Sequence, residues 1–195
     1  MGIKRMSERI IVERLETERL ILRGWKMEDA KDLYAYASTP KVGPMAGWKP
    51  HDDLEESKKI IEMFLDAGDS WALELKESHK VIGSLGLHRS KKRDIAYDRE
   101  LGYVLAEEYW GQGLIPEAAR AAIDYAFLTM KIDKLLVSHF DFNGRSKRVI
   151  EKLGFPYLTH LEGSWGRYDG RKLDEEVYLM TREAYQKICQ AVKKR

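Results

Sequence analysis

The chain predicts an α+β fold, an α/β sandwich in which one mixed, mostly antiparallel sheet of about seven strands is flanked by helices. Two observations predict it: short β-branched or leucine-rich runs alternate along the chain with stretches of helical period, and no repeat, low-complexity tract or linker interrupts that alternation. A leucine-rich strand over residues 19–24 opens the order, and Ala30, Leu33, Tyr34 and Ala37 then recur at helical spacing. Three prolines and two glycines make residues 39–50 a loop. Asp52 or Asp53 can cap the next helix, which buries Ile60, Ile61, Phe64 and Leu65. Residues 70–75 and 81–87, joined by a polar turn, form a hairpin. A charged turn leads to a strand over 99–106, a glycine turn and a helix over 114–130. Strand 135–140, helix 143–153, strands 157–161 and 176–181 and a terminal helix over 183–195 complete one domain spanning 1–195, with residues 1–14 expected to fray.

With 34 basic against 32 acidic residues, the net charge of +2 argues against wrapping nucleic acid, and the short Lys91-Lys92-Arg93 run adds little. No apolar run reaches the length of about 20 residues that spans a bilayer. No secretory leader or acylation pattern is read at the start, so a cytoplasmic protein, a monomer or homodimer, is expected. The single cysteine, Cys189, excludes an internal disulfide and a thiolate metal site, and no metal is expected.

The chemistry concentrates in one stretch. Gly111 and Gly113 lie between the 99–106 strand and a helix whose stripe of Leu114, Ile115, Ala118, Ala119, Ala122, Ile123, Ala126 and Phe127 packs on a sheet. Residues without Cβ let a phosphate approach the main chain, and the unpaired N–H groups of the following helix point outward. A pyrophosphate fits such a cradle.

These residues resemble the GNAT superfamily of acyl-CoA-dependent N-acetyltransferases, and in particular its RimJ/RimL-like branch, over residues 15–185. The family signature has Gln or Arg, two residues, Gly, one residue, then Gly or Ala. Trp110, Gly111, Gln112, Gly113, Leu114 and Ile115 occupy those places, tryptophan being common at the first in this branch. A second motif appears as Asn143, Ser146, Arg148, Val149 and the run from Glu151 to Phe155. Two departures stand out. Ile115 replaces the usual small residue, and Pro116 removes one amide from the first helical turn, where proline is tolerated.

The resemblance implies a sheet splayed at the cofactor site and a ternary complex of acetyl-CoA and a primary amine, either a small molecule or a protein amino terminus. Val104 and Leu105 would meet the pantetheine arm, with an amide of Leu105 polarising the thioester carbonyl. The 110–115 turn, Asn143, Ser146 and Arg148 would hold the cofactor. Glu100 is the expected base, with His139 its rival because imidazole titrates near neutrality. Ser146 would protonate the departing thiolate. Trp48, Tyr97 and His139, with Met45 and His88, are expected on the acceptor side. Arg145, Lys147, Arg148 and Lys152 form a basic cluster suited to phosphates. The competing class is a catalytically silent acyl-CoA-binding module, which shares the cradle and differs at the base.

Overall fold

The computed structural model describes residues 12–89, 92 and 94–193. Its strands are β1 (Leu15–Glu16), β2 (Leu20–Arg23), β3 (Ser70–Leu75), β4 (Val81–His88), β5 (Arg99–Leu105), β6 (Lys134–Phe140), β7 (Tyr157–Gly166) and β8 (Lys172–Thr181), in one sheet ordered β1-β2-β3-β4-β5-β6-β8-β7. β5 and β6 run parallel and every other neighbouring pair is antiparallel. The helices are α1 (Ala30–Ala37), α2 (Leu54–Ala67), α3 (Leu114–Asp124), α4 (Gly144–Leu153) and α5 (Arg182–Lys193).

Side-chain alternation divides the sheet into two faces. Leu85 and Leu101 join the cluster beneath α3, where fully buried Ala118, Ala119 and Ala122 bring the helix close to the strands. Ala72 and Val81 face Leu33 and Ala37 of α1 and Ile61 of α2. Asp53 caps α2 by accepting the Glu56 N–H at 2.8 Å, and left-handed Gly68 ends it.

Four differences from the sequence-based expectation have local causes. β1 is an eighth strand, two residues long, too short to leave a periodic signal. β7 and β8 are ten residues each, so much of the stretch left between the two expected strands, 162–175, is paired. A register shift between Leu161 and Trp165 breaks the alternation that would have announced it. α3 keeps α geometry to Asp124 and then widens into a π-helical turn, Tyr125–Thr129. Residues 1–11 of the expected frayed leader lie outside the described residues. Residues 12 and 13 are tied down, with the Val12 N–H on Gly68 O at 2.9 Å and Trp71 Nε1–H on Glu13 O at 2.7 Å. Cys189 sits half-buried in α5 against the main core. Among the described residues no helix is long and apolar enough to cross a membrane.

Candidate active site

β5 pairs with β6 only from Arg99 to Leu101, against Leu135 to Val137, and beyond that point the strands part. The Ala106 N–H donates to Ile82 O on β4 at 2.8 Å, so strand alternation turns the main-chain groups of Tyr103 and Leu105 toward the opening. Trp110 Nε1–H occupies the Leu105 carbonyl at 2.8 Å, which leaves the Leu105 N–H as the donor directed into the gap. A cleft of about 860 Å³ follows this parting and reaches both faces of the sheet.

On the α3 face the cleft begins at the glycine turn. Gly111 and Gly113 both have φ of +79°, and nothing lies within 4 Å of where a Gly111 Cβ would stand. The main-chain N–H groups of residues 111–115 donate to no main-chain acceptor among the described residues. They form an open cradle of donors at a helix N-terminus, an arrangement that suits an anion. Arg19, which the sequence reading passed over, holds this turn from behind. Its Nη1 donates to Gln112 O at 3.0 Å, its Nε to Glu117 Oε2 at 2.7 Å and its backbone N–H to Glu117 Oε1 at 2.8 Å. Burial works against the Glu117 charge, but Thr17 and Arg19 hold its carboxyl below the usual carboxylate range. Across the cleft, Arg145, Arg148 and Lys152 of α4 line the wall, with the Arg145 guanidinium 4.5 Å from the Trp110 ring centroid. Lys147, grouped with them in the sequence, is exposed outside the lining.

Asn143 is the N-cap of α4, accepting the Ser146 N–H at 3.1 Å while its amide donates to Met45 O at 3.0 Å. Both ends of its side chain are therefore used within the fold. Ser146 Oγ lies 2.8 Å from the Tyr103 hydroxyl. Burial raises the Tyr103 phenol far above its usual value, so it stays protonated through the neutral range. Tyr103 was absent from the sequence-based candidates because a tyrosine within a strand reads as packing.

The two candidate bases lie on opposite faces. Glu100 stands beside Leu136 in the parallel ladder, three residues from His139, so alternation separates them. His139 is buried, donates from Nδ1 to Phe140 O at 2.8 Å, and has Nε2 3.3 Å from the Tyr178 hydroxyl. Glu100 lies on the α1 and α2 face, across from His88, whose ring fills the space left by Gly86 and Gly102. Trp48, Met45, His88 and His139 line the cleft, whereas Tyr97 packs with Leu136, Leu161 and Val177 and does not. Trp165 and Phe140, ring centroids 6.0 Å apart, add an aromatic wall that the sequence did not single out. His51 also lines this side, with Nδ1 2.8 Å from Ser57 Oγ, and burial pushes its imidazole below the ordinary histidine value.

Lys92, part of the basic run, turns inward. Its ammonium meets Glu100 Oε1 at 3.0 Å, Ser138 Oγ at 2.9 Å and Glu175 Oε1 in close contact. Burial opposes its charge, but Glu100 and Glu175 outweigh that penalty and hold it above the usual lysine value. Lys91 and Arg93 lie outside the described residues. Among the described residues no three metal-ligating side chains gather.

The acetyltransferase (GNAT) domain family matches residues 19–156. The N-acetyltransferase p20 of Bacillus licheniformis is 28% identical over 179 residues, 89% of this chain and 99% of the relative. The [ribosomal protein uS5]-alanine N-acetyltransferase of Escherichia coli is 26% identical over 168 residues, 78% of this chain and 86% of the relative. A solved GNAT-family acetyltransferase from Bacillus anthracis shares the fold, with a TM-score of 0.76 at 20% identity over 88% of this chain and 99% of that one. Fold and family together define an acetyltransferase. The chain belongs to the GNAT family, with RimJ/RimL-like relatives, and is an acetyl-CoA-dependent N-acetyltransferase.

Proposed function

We propose that the protein acetylates a primary amine, a small molecule or a protein amino terminus, by direct attack within a ternary complex. The observation that carries this reading is the parting of β5 from β6 beside a helix N-terminus whose amides have no main-chain acceptor among the described residues. In this reading the residue 111–115 amides and the Arg145, Arg148 and Lys152 side chains bind the cofactor's phosphates, and Asn143 keeps α4 in place. The Leu105 N–H donates to the thioester oxygen where negative charge gathers. Glu100 takes the ammonium proton from the α1 and α2 face, the amine nitrogen bonds to the acyl carbon, and the carbon–sulfur bond breaks. Ser146, backed by the Tyr103 hydroxyl, gives a proton to the sulfur and is reprotonated by the surplus proton left on the attacking nitrogen. The alanine acetyltransferase relative supports the protein-terminus arm, and the aromatic wall of Trp48, Phe140 and Trp165 supports the small-amine arm.

Thiol release from acetyl-CoA, measured against small amines and short peptides with free amino termini, tests the proposal. Turnover with either class supports it. Tight acetyl-CoA binding by calorimetry with no turnover on any amine would instead favour the silent binding module.

A further inference from the structure

We propose that Lys92 is a positioning residue that fixes the Glu100 carboxylate on the acceptor side of the cleft. The inference rests on Glu100 being the proton acceptor, as proposed above. Its basis is geometric. The Lys92 ammonium has three donors, and the structure gives it three acceptors: Glu100 on β5, Ser138 on β6 and Glu175 on β8. It thus ties the segment between β4 and β5 to strands on both sides of the parting. Glu175 is itself anchored, with Oε1 receiving Ser138 Oγ at 2.8 Å and Oε2 receiving Ser164 Oγ at 2.7 Å. Glu100 is therefore set against a rigid frame of which Lys92 is the hub. Lys92 is 9% exposed and Glu175 4%, so their charges act with little screening.

Other charged groups face this frame. His88, cross-strand from Glu100, lies 3.2 Å from Asp69 Oδ2. Glu56 of α2 and Lys49 line the same side of the cleft. His139 and Glu176 lie on the opposite face. Lys92 contacts both carboxylates, and two opposite outcomes follow. Without Lys92, Glu100 and Glu175 become neighbouring like charges, and the proton acceptor is harder to ionise. Without the Glu175 charge, Lys92 serves Glu100 undivided, and the acceptor ionises more readily.

The test is the acidic limb of the kcat/KM profile for a turned-over amine, with acetyl-CoA saturating. Lys92→Met is expected to move that limb up by about one pH unit or more, Glu175→Gln to move it down, and Lys92→Arg to restore the wild-type position. A role in packing alone would not move the two variants in opposite directions. Should Lys92→Met fail to fold, Glu175→Gln and Lys92→Arg still decide the matter. Unmoved limbs in folded variants would overturn the proposal. Glu100→Gln keeps the two ideas apart: its kcat is expected to fall by about 10² or more. Wild-type turnover in Glu100→Gln would overturn the base assignment and this inference with it, whereas a dead Glu100→Gln with unmoved limbs overturns only the role of Lys92.

Discussion

Single residues carry the chemistry, and their environments differ more than their types suggest. Ser146 and Asn143 lie three residues apart, yet Asn143 is consumed by capping and loop anchoring while Ser146 holds its hydroxyl against Tyr103. Ser146→Ala is expected to lower kcat by about 10²-fold with little change in the KM for the amine, measured by steady-state thiol release; an unchanged kcat removes Ser146 from the mechanism. Asn143→Ala is expected to lose about 1 kcal/mol of stability in urea titration, the usual worth of an N-cap. Asn143 and Ser146 were visible in the sequence as a motif. Lys92 and Glu175 were not, because partners 83 positions apart leave no local spacing to recognise.

Elements decide where those residues point. The cradle exists because α3 starts at a left-handed glycine and Arg19, just before β2, holds Gln112 and Glu117. Gly113→Val places a β-branched residue at φ +79°, strained by about 1–2 kcal/mol, and is expected to weaken acetyl-CoA binding about tenfold by calorimetry. The glycine turn and the alanine stripe of α3 were legible from spacing alone. The β7–β8 hairpin was only half legible, because its register shift interrupts the alternation by which a strand is read.

At the scale of the whole molecule, the sheet's two faces are joined through the gap between β5 and β6, and buried charges bridge that gap. Glu175 illustrates the consequence for pH. Burial opposes its ionisation, but Lys92, Ser164 and Ser138 together hold its carboxyl below the usual range. A carboxyl lowered in the folded state stabilises the fold above its unfolded value, and that contribution disappears as pH falls through the folded value. Stability measured by denaturant is therefore expected to decline on acidification below the ordinary glutamate range, and Glu175→Gln is expected to flatten that decline. A wild-type slope in Glu175→Gln would show the acid sensitivity to lie elsewhere.

By itself the sequence determined the class of fold, the glycine turn that opens α3, most of the order of elements along the chain and the family, since each is written in short-range spacing: period two or 3.6, glycines at a turn, a cap before a helix. Only the tertiary structure decided that Glu100 and His139 occupy opposite faces, that Tyr97 packs away from the cleft, and that Lys92 joins Glu100 to Glu175. Those outcomes depend on strand register and on contacts between distant segments, and a side chain's face follows from which strand lies beside it as much as from the residues on either side of it.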